Sequence, residues 1–439
     1  MKLGWKKNTV LFLASQTMSL FGTMLVQYAI MWHIVLETQS GIMMTIYILV
    51  GVLPTFFTSL FGGVWADRYN KKHLINISDG SIAVASLAIA ISLSVGIDSI
   101  ILLMIAAAIR ALGQGVQQPA VNSLIPLIVP EDKLLKINGI NSSIQSGIFL
   151  LSPMAAASLM SLAPLQTLFF IDVVTASIAI SILYFLVKVP QEKNTYSNRH
   201  TALDAVSPDI NDDARRLRNK PAMTSGENNN TTVDEIAKNT SHFKELFDGL
   251  KYIKSQKFLL IFFTFYALLV ISFSPLAVLM PLQVIRNFGP ELWRLSAIEV
   301  TWAGGMILGG FLVGVWCFRN KIYAIGMSAI VIGMMTVLLG VWTNFIPYLI
   351  CLVICGVASP YLMAPSMTLI QEKVATEYLG RTVSVFTMIQ SIAMPIAMLF
   401  FGPLADIISI DFIMIGTGAM MVFLGILFFT NKTFKLNTV

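Results

Sequence analysis

Apolar residues in this chain do not alternate with polar ones, and they do not form one-sided stripes. They come in long runs. Twelve of these runs are long enough to cross about 30 Å of hydrocarbon, which takes about 20 helical residues. They fall near 8–36, 42–66, 74–95, 99–122, 137–161, 165–188, 258–285, 295–318, 322–343, 346–370, 380–404 and 409–430. Backbone polar groups find no partners in lipid, so runs of this length predict helices. One stretch breaks the pattern. Residues 190–240 are rich in Asn, Asp, Thr, Ser and Arg, with Tyr196 the single aromatic. Such a segment cannot bury enough apolar surface to fold and predicts a disordered linker. Directly after it, Phe243, Leu246, Phe247, Leu250 and Ile253 recur at helical spacing with Lys244, Lys251 and Lys254 between them. That pattern predicts an amphipathic helix over 241–257 lying on a membrane surface. The expected organisation is a six-span bundle over 1–189, a linker over 190–240, the surface helix, and a second six-span bundle over 258–439.

The composition agrees with this reading. The 439 residues are 56% hydrophobic and 12% charged, against about 25% charged in soluble domains. The first run is too long for the apolar core of a signal peptide and is expected to stay as the first helix. Lys and Arg set the orientation. With the N-terminus cytoplasmic, only Arg286 and Arg294 of the 29 basic residues fall in outward loops, and Arg110 lies within a span. The net charge of +6 therefore reports orientation in a cell membrane with both termini inside, and nucleic acid is not an expected partner. Cys317, Cys351 and Cys355 lie in or beside apolar runs and predict buried thiols, with no metal and no disulfide framework.

Polar residues inside the runs carry the candidate chemistry. In the first span Gln16, Ser19, Thr23 and Gln27 share one stripe, expected to line a cavity or to bond neighbouring helices. His33 and Glu37, four residues apart, are expected to pair. Asp79 lies one turn inside the third span, and either pairs with Arg68 or Lys72 or carries a proton. The fourth span holds Arg110, followed on its face by Gln114, Gln117 and Gln118. A charge at that depth costs several kcal/mol and marks a partner or a pathway. The fifth span carries Asn138, Asn141, Ser142, Gln145 and Ser152 on one stripe. Asp172 in the sixth span and Glu299 in the eighth are further candidate proton sites.

Between the second and third spans stands Gly62-Gly63-Val64-Trp65-Ala66-Asp67-Arg68-Tyr69-Asn70-Lys71-Lys72. The two glycines permit close helix contact. This stretch resembles the signature loop of the major facilitator superfamily, with Asn70 where the pattern has glycine. Asparagine tolerates positive φ, so a tight turn is expected there. Arg110 with its following glycines resembles that family's signature on the fourth helix. Three features are similar to the macrolide-efflux branch of its drug:proton antiporters: the loop Val129-Pro130-Glu131-Asp132, Asn138 at the next helix start, and Ser152-Pro153 midway.

The second half repeats the first at an offset near 245. Leu124-Ile125 falls on Leu369-Ile370, Val129 on Val374, and Asp132 on Glu377. Parallel repeats of this kind build transporters. Arg110 overlays Cys355, and Phe318 stands where the first loop has Asp67. Gly305, Gly309, Gly310 and Gly314 are spaced for helix packing, and Gly402-Pro403-Leu404-Ala405-Asp406 is read as packing too.

The resemblance implies two six-helix bundles rocking about a central site, with export coupled to proton entry. It implies that Asp67 latches the cytoplasmic gate on Gly380 and Arg381 at the start of the eleventh helix, with Gly63, Arg68, Lys71 and Lys72 shaping the loop. It implies proton coupling by Arg110 with Asp79, Asp172 and Glu299. The expected cargo is a bulky, mostly apolar small molecule, handled by a monomer without cofactor. Export of a self-made siderophore, peptide or other metabolite is the alternative within that mechanism. A receptor or an intramembrane enzyme is the alternative outside it, and the sequence offers no metal motif, Ser/Lys pair or nucleotide loop for an enzyme.

Overall fold

The structure is a computed structural model that describes residues 4–189, 251–315 and 320–431; the side chains of Asp67, Arg68 and Glu377 are outside that description. The expected linker, Cys317, Phe318 and residues 241–250 of the surface helix also lie outside it. Residues 251–255 are helical.

Among the described residues twelve helices are long and apolar enough to span a membrane. They are α1 (Trp5–Thr38), α2 (Gly41–Arg68), α3 (Lys71–Ser94), α4 (Ile100–Ile128), α5 (Leu134–Leu162), α6 (Gln166–Ser181), α7 (Lys257–Val278), α8 (Leu292–Val315), α9 (Lys321–Leu339), α10 (Phe345–Lys373), α11 (Thr376–Ile407) and α12 (Ile410–Thr430). A π-helical turn, Ile182–Leu186, ends α6. The seventh span departs from the expected single helix. It breaks at Leu279 and continues as Met280–Phe288, where Pro281 has no N–H to carry the preceding helix's ladder on and suits the first turn of a new helix.

The sequence explains the helix ends. Ser40, Asn70, Asn320 and Ser409 each cap a helix by accepting from its first N–H groups. Asn70 does this at φ −66, so the expected positive-φ turn is replaced by a cap. Hydroxyls within the spans bond back to their own helices, as Thr58 donates to the Pro54 carbonyl at 2.7 Å.

The pairing of helices is symmetric. In the first bundle α2 packs on α4, α3 on α4, α1 on α5, and α6 on both α1 and α3. In the second, α8 packs on α10, α9 on α10, α7 on α11, and α12 on both α7 and α9. Each first-bundle pair thus has its counterpart six helices later. The seams between bundles obey the same exchange, with α2 on α11 and α5 on α8. Gly62 lies against the Gly115 carbonyl and lets α2 approach α4, whereas Gly63 faces open space. Gly305 and Gly309 bring α8 against α10, whereas Gly310 and Gly314 touch nothing.

Candidate functional site: a buried polar network beside an interior cavity

Four helices of the first bundle meet on a connected set of polar side chains. Asp172 of α6 pairs with Arg110 of α4, and the two side chains are only 1% and 5% exposed. Ser86 of α3 donates to Asp172 Oδ2 at 2.6 Å, and Arg110 Nη1 also bonds Ser86. Arg110 Nη2 donates to the Thr23 carbonyl of α1 at 3.1 Å. Gly22 makes this approach possible, because a Cβ there would lie 2.7 Å from Asp172 Oδ1. Breaking a buried pair of this kind costs about 3–5 kcal/mol, since it strands the remaining charge.

Deeper along α1, Ser19 donates to Asp79 Oδ1 at 2.7 Å, and Gln117 of α4 donates to the same oxygen at 2.6 Å. Asp79 is 1% exposed, and its Oδ2 has no partner. The expected pairing with Lys72 is not formed. Lys72 instead caps the end of the sixth span, donating to the Tyr184 and Val187 carbonyls at 2.8 Å.

A cavity of about 460 Å³ lies beside this network, walled by α1, α2, α4 and Ser391 of α11. Ile30, Met31, Ile48, Val52 and Phe56 give it an apolar wall, and Gln27, Tyr47, Thr55, Arg110 and Gln114 line it with polar groups. A second crevice, about 30 Å³, is lined by Gln16, Gln117, Gln118, Asn141 and Gln145. The α1 stripe is therefore divided. Gln27 faces the cavity and Gln16 the crevice, while Ser19 and Thr23 turn into the bundle, 3% and 5% exposed.

Other candidates sit apart. Glu299 of α8 faces the Tyr28 hydroxyl of α1 across the bundle seam. His33 pairs with Asp98 at 3.3 Å, and not with Glu37 as its spacing suggests. Lys71 is half-buried at the start of α3, and Gly380 is exposed. The Arg381 guanidinium lies over the Tyr378 ring, 5.8 Å from its centre. That ring stacks on Tyr252 at 4.4 Å. Whether Asp67 reaches Gly380 and Arg381 lies outside the described residues. Cys351 and Cys355 are buried thiols. Among the described residues no group of His, Cys, Asp and Glu is placed to hold a metal.

Sequence reasoning missed Ser86, Tyr28 and Tyr47. It also dismissed Asp406, whose glycine-acid spacing was visible. Asp406 Oδ1 accepts from Gly41 N–H at 2.7 Å, and Oδ2 from Ile42 N–H at 3.0 Å and Ser40 Oγ at 2.7 Å. Read as packing, it bonds the first bundle at the start of α2.

Twelve spans in two repeated bundles, the first of them walling a cavity, define a multi-pass membrane transporter. The family model of the Major Facilitator Superfamily matches residues 9–398, and the chain belongs to that family. It is 27% identical over 428 residues to macrolide efflux protein A of Streptococcus pyogenes, covering 96% of this chain and 95% of that protein. To macrolide efflux protein A of Enterococcus faecalis it is 28% identical over 356 residues, covering 80% of this chain and 97% of that protein. Among solved structures it is similar to a bacterial homologue of the human lysosomal transporter Spinster, in an inward-facing and unoccupied conformation. The TM-score is 0.69 at 14% identity, over 100% of this chain and 99% of that one. A POT family transporter in complex with a thioalcohol-conjugated peptide gives a TM-score of 0.66 at 11% identity, over 97% and 96%.

Proposed function

We propose that the chain exports a bulky, mostly apolar small molecule of the macrolide kind by alternating access, driven by proton entry. The observation that carries this reading is the cavity of about 460 Å³, in which an apolar wall of Ile30, Met31, Ile48, Val52 and Phe56 stands beside polar groups that can orient a cargo. Such a surface suits ligands chosen by shape and hydrophobicity. The likeness to two macrolide efflux proteins along most of the chain supports the direction and the cargo.

The polar network supports proton coupling. Asp172 has Arg110 to neutralise it. Asp79 receives only neutral donors, Ser19 and Gln117, and keeps one oxygen bare. A buried carboxylate without a cation is costly as an ion, and a proton removes that cost. We read Asp79 as the proton carrier and Gln117, which also lines the crevice, as its contact with water. Arg110 borders the cavity and holds Asp172, so it links cargo to the same network. Glu299, facing Tyr28 across the seam, is a second proton site on this reading. The Lys and Arg distribution supports our reading of a monomeric carrier in the cell membrane with both termini cytoplasmic and the α1–α2 turn outside.

The test is efflux from everted membrane vesicles over a drug panel, with and without an uncoupler. The expected result is uptake into the vesicles of large apolar drugs, abolished by the uncoupler. Uptake indifferent to the uncoupler would remove proton coupling, and no uptake of any apolar drug would remove the cargo class.

A further inference from the structure

At the end of the molecule where α1 turns into α2, the two bundles touch through α2 and the last turns of α11. Here the backbones come very close. A Cβ on Gly402 would lie 1.7 Å from Thr45 Oγ1 and 2.7 Å from the Gly41 carbonyl oxygen, and a Cβ on Gly41 would lie 2.3 Å from the Gly402 carbonyl oxygen. Thr45 Oγ1 donates across the seam to the Met398 carbonyl at 3.0 Å. One turn beyond Gly402, Asp406 stands over the first turn of α2, where N–H groups lack partners within the helix and carry partial positive charge. It accepts from Ser40, Gly41 and Ile42 as described above. Arg286, in the short helix after α7, holds the assembly from the side. It donates to Asp406 Oδ1 at 3.1 Å, to the Ala405 carbonyl at 2.6 Å, and to the Gln39 carbonyl of the first bundle.

The pseudo-equivalent seam, α5 on α8, is built differently. Ala156, Ala157, Leu159 and Met160 of α5 join Leu295 and Ile298 of α8 in one apolar cluster. Apolar contacts yield gradually as surfaces slide, whereas a carboxylate seated on a helix start is either in place or out of it.

We infer that Asp406 is the latch of this end of the transporter. Seated on α2, it holds the end shut with the cavity sealed from this side, and its release from Ser40, Gly41 and Ile42 is the step that lets α2 and α11 part. Arg286 is the positioning residue that keeps the carboxylate aimed. This inference rests on the alternating-access reading, but its test does not need a cargo or a proton gradient.

The experiment places spin labels at Val95 and Val341, one in each bundle at this end and both well exposed, in the full chain with its native cysteines replaced by alanine. Distances are read in liposomes without substrate. Asp406→Asn removes the charge and turns an amide donor toward donors. The population with separated labels is expected to rise on the order of tenfold, as the loss of hydrogen bonds to a charged group implies. A distance distribution equal to that of the unsubstituted chain would overturn the latch. Gly402→Ala attacks the same seam sterically and leaves the carboxylate intact. It is expected to shift the distances in the same direction; if Asp406→Asn does not fold, Arg286→Gln, which removes the side support of the carboxylate, takes its place and is expected to shift them likewise. Unchanged distances with either folded variant would refute the latch and leave the efflux reading standing. Shifted distances without drug uptake in vesicles would refute the efflux reading and leave the latch.

Discussion

The two halves share one helix plan and differ in what fills their centres. An offset of 245 lays Arg110 on Cys355 and Asp172 on Thr417. In α3 and α9 the offset is 250, since Asn70 and Asn320 both cap their helices, and it lays Asp79 on Ala329 and Ser86 on Thr336. All eight residues are buried. In the second half the polar groups at these positions bond to backbone. Thr336 Oγ1 donates to the Ile332 carbonyl at 2.7 Å, Thr417 Oγ1 to the Ile413 carbonyl at 2.8 Å, and Cys355 Sγ lies 3.9 Å from the Ile332 carbonyl. In the first half they bond side chain to side chain across four helices. On the reading proposed above, the first bundle holds groups at these positions whose bonding changes when a charge or proton changes, and the second does not. Its own side-chain network, Gln283 with Tyr348 and Asp411, lies elsewhere. A duplicated fold can divide the work of transport in this way without altering its helix contacts.

Four substitutions and one deletion sharpen or break that contrast, from the largest effect to the smallest. Arg110→Ala strands Asp172 in the first bundle. It should abolish proton-linked transport and lower stability by about 3–5 kcal/mol, whereas Cys355→Ala, at the same place in the repeat, should cost no more than about 1 kcal/mol. Thermal unfolding and dye efflux on the two variants check this, and equal costs would erase the contrast. Asp79→Asn keeps the Ser19 contact and removes the charge; it should leave the protein folded but make efflux insensitive to a collapsed pH gradient. Asp67→Asn should reduce efflux several-fold with normal membrane levels on a blot, in keeping with a latch at the opposite end; full activity would remove that latch. Deleting part of 195–235 should change neither membrane level nor efflux, since neither bundle depends on that segment in this account.

Much of this organisation was legible in the sequence, because hydropathy over twenty residues is a local property. The spans, their pairing into two repeats and the depth of Arg110 all followed from local runs and one offset. Partner choice was not legible wherever the partner is distant along the chain. His33 reads as the mate of Glu37 by spacing and bonds Asp98 because the α3–α4 turn brings it there. Asp406 reads as packing because no basic residue follows it. Its cation, Arg286, lies 120 residues earlier, and its other donors belong to a helix start in the opposite bundle. The α1 stripe was visible as polar, but which of its members faced a cavity depended on where α3, α4 and α6 stand. The break at Leu279 was hidden by an apolar run that continues across it.

The central claim is that Asp79, the buried acid without a cation, takes up and gives off the transported proton. The most direct measurement is proton release when a macrolide is added to the purified, weakly buffered transporter, for the unsubstituted chain, Asp79→Asn and Glu299→Gln. The account predicts release from the unsubstituted chain, none from Asp79→Asn, and release retained at least in part by Glu299→Gln. Equal release from the unsubstituted chain and Asp79→Asn would contradict it.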